Sequence, residues 1–250
     1  MTADEQKKLT QDLLNTTKSF MEGSLQCKGR YQMALIGIAR KNYNRLSSIN
    51  FLSSDPANAD AMLDLARGLL EDLISVEFMK LKGKELMAEK FFKYTAVEQK
   101  KDLEFLTRNG VKPNDALTTN TETAFEAVKK DFEFKPGVMA RSWTKCSVEN
   151  MIDELLKHGV LRDFDKDMLL QGYIMGNRKN HLSPLDALSF LSDQTRSVQV
   201  DTGLGTGLTF ATVCFFKIVS ELAQELGNRE LLNSITKMWE EMNTKIEPKA

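Results

Sequence analysis

The sequence has few of the residues that build metal sites and disulfide frameworks. Its 250 residues include only two histidines and three cysteines. Two histidines cannot supply the paired Glu-x-x-His motifs of a ferritin-like di-iron bundle, and a histidine-rich zinc site is equally unsupported. The cysteines, Cys27, Cys146 and Cys214, form no CxxC pair, and their odd number indicates a reducing compartment. We therefore expect no metal, no cofactor and a cytoplasmic location.

A long apolar run and a net charge are also missing. The most apolar segment, residues 207–223, is interrupted by Lys217 and Glu221, so it is too short to span a bilayer. The N-terminal segment is charged and lacks the apolar core of a signal peptide. With 34 basic and 35 acidic residues, the net charge is -1, and no overall field attracts DNA or an anionic membrane. A local basic patch that binds RNA or a small anion stays compatible with this balance.

Proline and glycine are sparse, and strand-like alternation is nearly absent. The chain has 5 prolines and 14 glycines, whereas Leu, Met, Ala, Glu and Lys are plentiful. This pattern predicts one all-α domain over residues 1–250, a bundle of about eight or nine helices. An N-terminal helix within residues 1–29 could be peripheral, and residues 228–250 carry the last helix. Asp55, Ser147 and Asn228 are predicted to cap the helices that follow them. Residues 111–121 are polar and are predicted to form a loop.

One glycine-rich segment superficially resembles a nucleotide-binding loop. "DTGLGTGLTF", residues 201–210, has the spacing GxGxG where a dinucleotide site needs GxGxxG, and no βαβ unit surrounds it. The segment is therefore predicted to be a glycine turn at which a buried helix begins.

The segment at about 57–82 is predicted to be the buried centre of the bundle. At 100° per residue its apolar side chains cover more of the circumference than the stripe of a surface helix. We expect helices at 84–109, 166–180 and 206–226 to pack around it. Arg67 and Glu71 lie four residues apart at the edge of the apolar arc. They are either an internal ion pair that ties helices together or part of a polar binding site.

A second group of polar side chains lies in "GYIMGNRKNHLSPLDAL", residues 172–188. Histidine can act as a general acid or base near neutral pH, and arginine can bind phosphate through its planar fork. A cationic cluster at a helix C-terminus can equally well serve only to offset the helix dipole. The candidate residues are Tyr173, Asn177, Arg178, Asn180 and His181.

Several short motifs resemble an uncharacterised bacterial family of all-helical proteins, domain of unknown function 5677. They are "ARGLLEDLISVEF" with Arg67 and Glu71, "EKFFKYTAVEQ", Trp143, and "GYIMGNRKNHLSP" with Tyr173 and His181. The resemblance spans roughly residues 30–215. It implies an all-helical intracellular fold with an Arg/Glu/His cluster, without an established activity. A bacterial stress or phage-defence context is a separate expectation, attached to the first function below.

Three functions remain open from the sequence. In the first, an internal cluster of Arg67, Glu71, Tyr173 and His181 binds a ligand or nucleic acid, with Asn177 and Asn180 as further contacts. The second follows a weaker resemblance to HEPN helical ribonucleases. It implies that Arg178 binds phosphate and His181 assists proton transfer without a metal, although the two residues stand closer than in that signature. The third is a structural or interaction module, for instance a homo-oligomer, in which the charges hold helices in register.

Overall fold

The computed structural model confirms the all-α class. It describes residues 2–161, 166, 169–170, 173 and 193–246. Eight α-helices are present in this part of the chain. In chain order they are α1 (Ala3–Glu22), α2 (Arg30–Leu52), α3 (Ala59–Lys82), α4 (Lys84–Arg108), α5 (Asp115–Phe132), α6 (Val148–Lys157), α7 (Asp193–Glu225) and α8 (Arg229–Ile246).

Helix boundaries follow local capping chemistry. The Ser147 hydroxyl accepts the backbone N–H of Asn150 at 3.3 Å, and the Asn228 side chain accepts that of Leu231 at 3.0 Å, so α6 and α8 begin where the sequence predicts a cap. Asp55 instead caps a short 3-10 turn, Pro56–Asn58, that precedes α3. Gly83, with φ of 106°, separates α3 from α4 in a conformation that glycine tolerates best.

Helix α3 is the buried centre of the bundle, as predicted. It packs most extensively on α7 and also on α2, α4 and α6. The sequence did not predict α2 and α6 as its neighbours. Its fully buried side chains join one large core to which α1, α2, α6, α7 and α8 also contribute, and they include Met62, Leu69, Leu70, Leu73, Ile74, Val76 and Met79.

A smaller apolar cluster lies apart from the main core. It is formed by Tyr94 and Val97 of α4 with Phe125 and Phe132 of α5. Helix α5 packs chiefly on α4, and a two-stranded antiparallel hairpin of β1 (Glu133–Lys135) and β2 (Val138–Met139) follows it. That the chain is a single domain, with a peripheral first helix, stays a prediction.

Two local predictions are wrong, and one element was missed. Residues 115–121 belong to α5 rather than to a loop, because the Asn114 side chain caps the helix by accepting the Ala116 N–H at 2.8 Å. The hairpin was not predicted, because its strands are only three and two residues long. The glycines at 203–207 lie inside α7. Each glycine disfavours a helix by about 1 kcal/mol. At Gly207 the helix runs beside α3, where an added Cβ would lie 3.5 Å from Leu63.

Within the described residues, no helix combines the length and the apolar character that crossing a bilayer requires. This finding agrees with the interruption of the apolar segment at Lys217 and Glu221, both of which lie within α7.

We predict that truncation of a central α3 side chain destabilises the whole bundle. Leu70 is fully buried, so Leu70→Ala should lower the free energy of unfolding by about 2–5 kcal/mol through lost burial and a residual cavity. Leu86→Ala removes the same atoms from an exposed position on α4 and should change it by about 0.5 kcal/mol or less. Urea denaturation of both variants is the measurement, and equal losses would contradict a core centred on α3.

Candidate polar site on helix α3

Arg67 and Glu71 form an ion pair along α3. The Arg67 Nε donates to Glu71 Oε1 at 2.9 Å, and its Nη2 lies 2.7 Å from the same oxygen. The Arg67 side chain is only 17% exposed, whereas Glu71 is about one third exposed. The pair thus lies at the border between core and solvent, where its interaction is screened less than on an open surface.

Tyr173 adds an aromatic wall to this pair. The centre of the Arg67 guanidinium lies 5.3 Å from the centroid of the Tyr173 ring, within the range of a cation–π contact. Tyr173 stands more than a hundred residues after Arg67 in the chain, so the fold joins two of the sequence motifs. The Glu71 carboxylate and the Tyr173 ring thus both contact the guanidinium group of Arg67.

The same turn of α3 presents a second charged group to α2. Asp72 accepts from Arg45 Nη1 at 2.7 Å and from the Asn42 side chain at 3.1 Å, and it pairs with Lys41 at 2.9 Å. The guanidinium of Arg45 lies over Gly68. A Cβ at Gly68 would stand 2.7 Å from Arg45 Cζ, so the close approach depends on the absence of a side chain there.

These contacts define a continuous feature, the α3 polar face, which consists of Arg67, Gly68, Glu71 and Asp72. Their spacing of one, three and one residues places all four on neighbouring positions of the helix surface. Arg67 meets Tyr173, while Gly68 and Asp72 meet Arg45 of α2. The segment "ARGLLED" therefore contributes to both contacts.

The predicted site is thus only partly brought together by the described residues. Arg67 contacts both Glu71 and Tyr173. Asn177, Arg178, Asn180 and His181 lie outside the described residues, so their roles stay predictions, including the ribonuclease roles of Arg178 and His181. Arg45, Lys41 and Gly68 were missed. A basic residue on α2 could have been noticed, but its register against α3 is a property of helix packing.

A second ionic group, which the sequence did not single out, joins four helices. Glu221 of α7 is 7% exposed, and its carboxylate is held by Lys80 at 2.8 Å, by Lys84 at 3.1 Å and by the Tyr31 hydroxyl at 3.1 Å. Lys84 also pairs with Glu225. We call Tyr31, Lys80, Lys84, Glu221 and Glu225 the Glu221 network.

Electrostatics within the Glu221 network favour the ionised pairs. Burial alone would raise the pKa of Glu221, but the hydrogen bonds and charges of Lys80 and Lys84 lower it below its usual value. Burial would likewise lower the pKa of Lys80, and its bonds to Glu221 and the charge of Glu77 raise it. Burial, followed by the charge of Glu221, raises the pKa of Tyr31, so the phenol stays a hydrogen-bond donor.

The α3 polar face and the Glu221 network differ in whether hydrogen-bond donors remain without an acceptor. Both oxygens of Glu221 accept hydrogen bonds within the network. At Arg67 on the α3 polar face, and at Arg45 beside it, one guanidinium nitrogen each (Nη1 of Arg67 and Nη2 of Arg45) finds no acceptor among the described residues. No set of three or more His, Cys, Asp or Glu side chains in the described part of the chain could hold a metal ion.

The chain is an all-helical protein that carries an arginine–carboxylate pair on a buried central helix. The chain belongs to a family of unknown function (DUF5677), whose family model matches residues 32–198, about two thirds of its length. This confirms the resemblance read from the motifs. Arg45, the α3 polar face and Tyr173 lie inside the matched range, whereas Tyr31 and Glu221 lie outside it. Comparisons with curated proteins and with solved structures found no match.

We predict that Glu221→Gln destabilises the protein in a pH-dependent way. At neutral pH the loss should be about 1–3 kcal/mol, because Lys80 and Lys84 lose a charged acceptor. Because the folded pKa of Glu221 is lowered, its contribution is present above the unfolded pKa and is lost as the pH falls through the folded pKa. The gap between wild type and variant in urea unfolding should therefore shrink on acidification.

Glu126→Gln is the matched control for this measurement. Glu126 is exposed and pairs only loosely with Lys129, at 3.4 Å. Such a surface pair is worth about 0–1 kcal/mol. A loss in Glu221→Gln that equals the control, or that does not depend on pH, would show that the network contributes no specific stability.

Proposed function

We propose that the α3 polar face binds an oxyanion, with the guanidinium groups of Arg67 and Arg45 as its two contacts. The observation that carries the proposal is the arrangement around Arg67. Its guanidinium is fixed by Glu71 and by the Tyr173 ring while Nη1 remains without an acceptor among the described residues. A fixed guanidinium with free N–H groups is well suited to phosphate or carboxylate.

Burial and preorganisation support this reading over a purely structural ion pair. The Arg67 side chain is 17% exposed and that of Arg45 is 27% exposed, so both are partly desolvated yet reachable. Charge-assisted hydrogen bonds strengthen as the local dielectric falls. Since each guanidinium is already held in place by protein groups, a ligand loses little free energy in ordering it.

The same chemistry is offered by an RNA phosphate and by a small anion such as a nucleotide. We propose His181, Arg178, Asn177 and Asn180 as further contacts, because they follow Tyr173 closely in the chain. The proposed setting is the bacterial cytoplasm, in stress or phage defence. The resemblance to a bacterial family and the three free cysteines support that setting. Homo-oligomerisation remains a prediction.

We predict that Arg67→Gln weakens anion binding by about tenfold or more, the loss of roughly one charge-assisted bond. Binding of a fluorescein-labelled single-stranded RNA is measured by fluorescence anisotropy. Binding of AMP and inorganic phosphate is measured by calorimetry. Arg108→Gln is the matched control, because it removes the same charge from an exposed position at the end of α4.

The pattern of outcomes identifies the ligand. Binding of AMP or phosphate that Arg67→Gln abolishes and Arg108→Gln leaves intact supports a small-anion site. Binding of RNA alone supports a nucleic-acid site. Equal losses in both variants would reveal only non-specific attraction, and no binding in any arm would rule the proposal out.

We also predict that Gly68→Ala weakens the same binding several-fold without removing a charge. The added Cβ would stand 2.7–2.9 Å from the Arg45 guanidinium, which must then move away from Asp72. Gly37→Ala in α2 is the matched control, because a Cβ there meets no atom within 4 Å. If Gly68→Ala binds as tightly as wild type, Arg45 is not a contact of the ligand.

A further inference from the structure

A cleft beside the hairpin is separate in composition from the α3 polar face. It has a volume of about 300 Å³ and lies between the hairpin and the loop that leads into α6. Its principal lining residues are Phe134, Val138, Met139, Arg141, Ser142 and Lys145. The volume is at the lower end of the range for small-molecule sites. We call this feature the hairpin cleft.

One wall of the hairpin cleft is apolar and faces water. Phe134 is 64% exposed and Val138 is 50% exposed, and both line the cleft. Large apolar side chains that meet solvent inside a concave surface are typical of a ligand-binding wall. A ligand that covers them gains the free energy of removing their surface from water.

The lining of the hairpin cleft also carries cationic side chains. Arg141 and Lys145 line the cleft, and no carboxylate does so among its described lining residues. Lys145 Nζ donates to the backbone carbonyl of Glu133 at 3.2 Å. The carboxylate of Glu133 accepts the turn N–H of Gly137 at 2.6 Å. The lining therefore complements a negative charge next to an apolar body.

The walls are held in place before any ligand arrives. Ser142 and Thr144 both donate to the carbonyl of Cys146, at 3.0 and 3.2 Å, which fixes the loop. Trp143 anchors it against Phe91 with ring centroids 5.6 Å apart. The backbone of Lys145 is left-handed, with φ of 60°, which is unfavourable for a residue with a side chain. Strained backbone conformations of this kind cluster at binding and active sites.

We propose that the hairpin cleft binds a small amphipathic carboxylate, such as a medium-chain fatty acid or an aryl acid. The apolar body lies against Phe134 and Val138, and the carboxylate accepts hydrogen bonds from Arg141 and Lys145. A small molecule fits the cleft better than a peptide, because the volume accommodates one short chain and the strands of the hairpin are only three and two residues long.

The test is calorimetric titration of the full chain with octanoate and with octanol. Octanoate should bind, and octanol should bind at least about tenfold more weakly because it lacks the charge. Arg141→Gln and Lys145→Gly should each weaken octanoate binding by about tenfold or more. Lys145→Gly is informative because glycine adopts a φ of 60° readily, so the melting temperature should not fall.

Lys135→Gln is the matched control. Lys135 is an exposed cation of the same hairpin that does not line the cleft, so this variant should bind octanoate like wild type. Equal affinity for octanoate and octanol, or equal weakening in Lys135→Gln, would overturn the proposal. The absence of octanoate binding would also overturn the proposal, even if a short acidic peptide were found to bind.

Discussion

The burial of helix α3 is the constraint on which the rest of the structure depends. Its side chains are apolar over most of the circumference, yet it also carries Arg67, Glu71, Asp72 and Glu77. A charge taken out of water needs a partner, or the fold loses several kcal/mol, on the order of 3–5 for a broken buried pair. The surrounding helices must therefore place partner side chains at defined positions along α3. This requirement sets the register of each helix against α3. Arg45 from α2 and Tyr173 fulfil it on one side, and α7 fulfils it on another.

The two polar groups around α3 meet that requirement in different ways. In the Glu221 network each charge has partners from other helices, and the phenol of Tyr31 completes the set. Such a group, in which both oxygens of Glu221 are paired, favours one arrangement of the helices. On the α3 polar face the carboxylates are satisfied, but the guanidinium groups retain donors that no described residue accepts. This difference in saturation, rather than burial or charge alone, separates a structural ion pair from a candidate site.

Local chemistry made most of the fold predictable. The period of apolar residues located α3, and the caps at Ser147 and Asn228 located α6 and α8. Predictions failed where tertiary contacts outweigh local preference, as with the glycines inside α7, or where the element is very short, as with the hairpin. Within the candidate site, the i,i+4 spacing of Arg67 and Glu71 predicted their contact. Arg45 could not be predicted, because the rotation of α2 against α3 is fixed by core packing across both helices.

Most of α7 lies outside the segment that the family model matches. The match ends at residue 198, a few residues into α7, whereas the part of α7 that covers α3 follows it. Cys214, Phe215, Ile218 and Leu222 are all fully buried and belong to that later part. A protein cut at the end of the matched segment would leave a long apolar stripe of α3 open to water. In this chain the residues that follow position 198 therefore complete the core around α3.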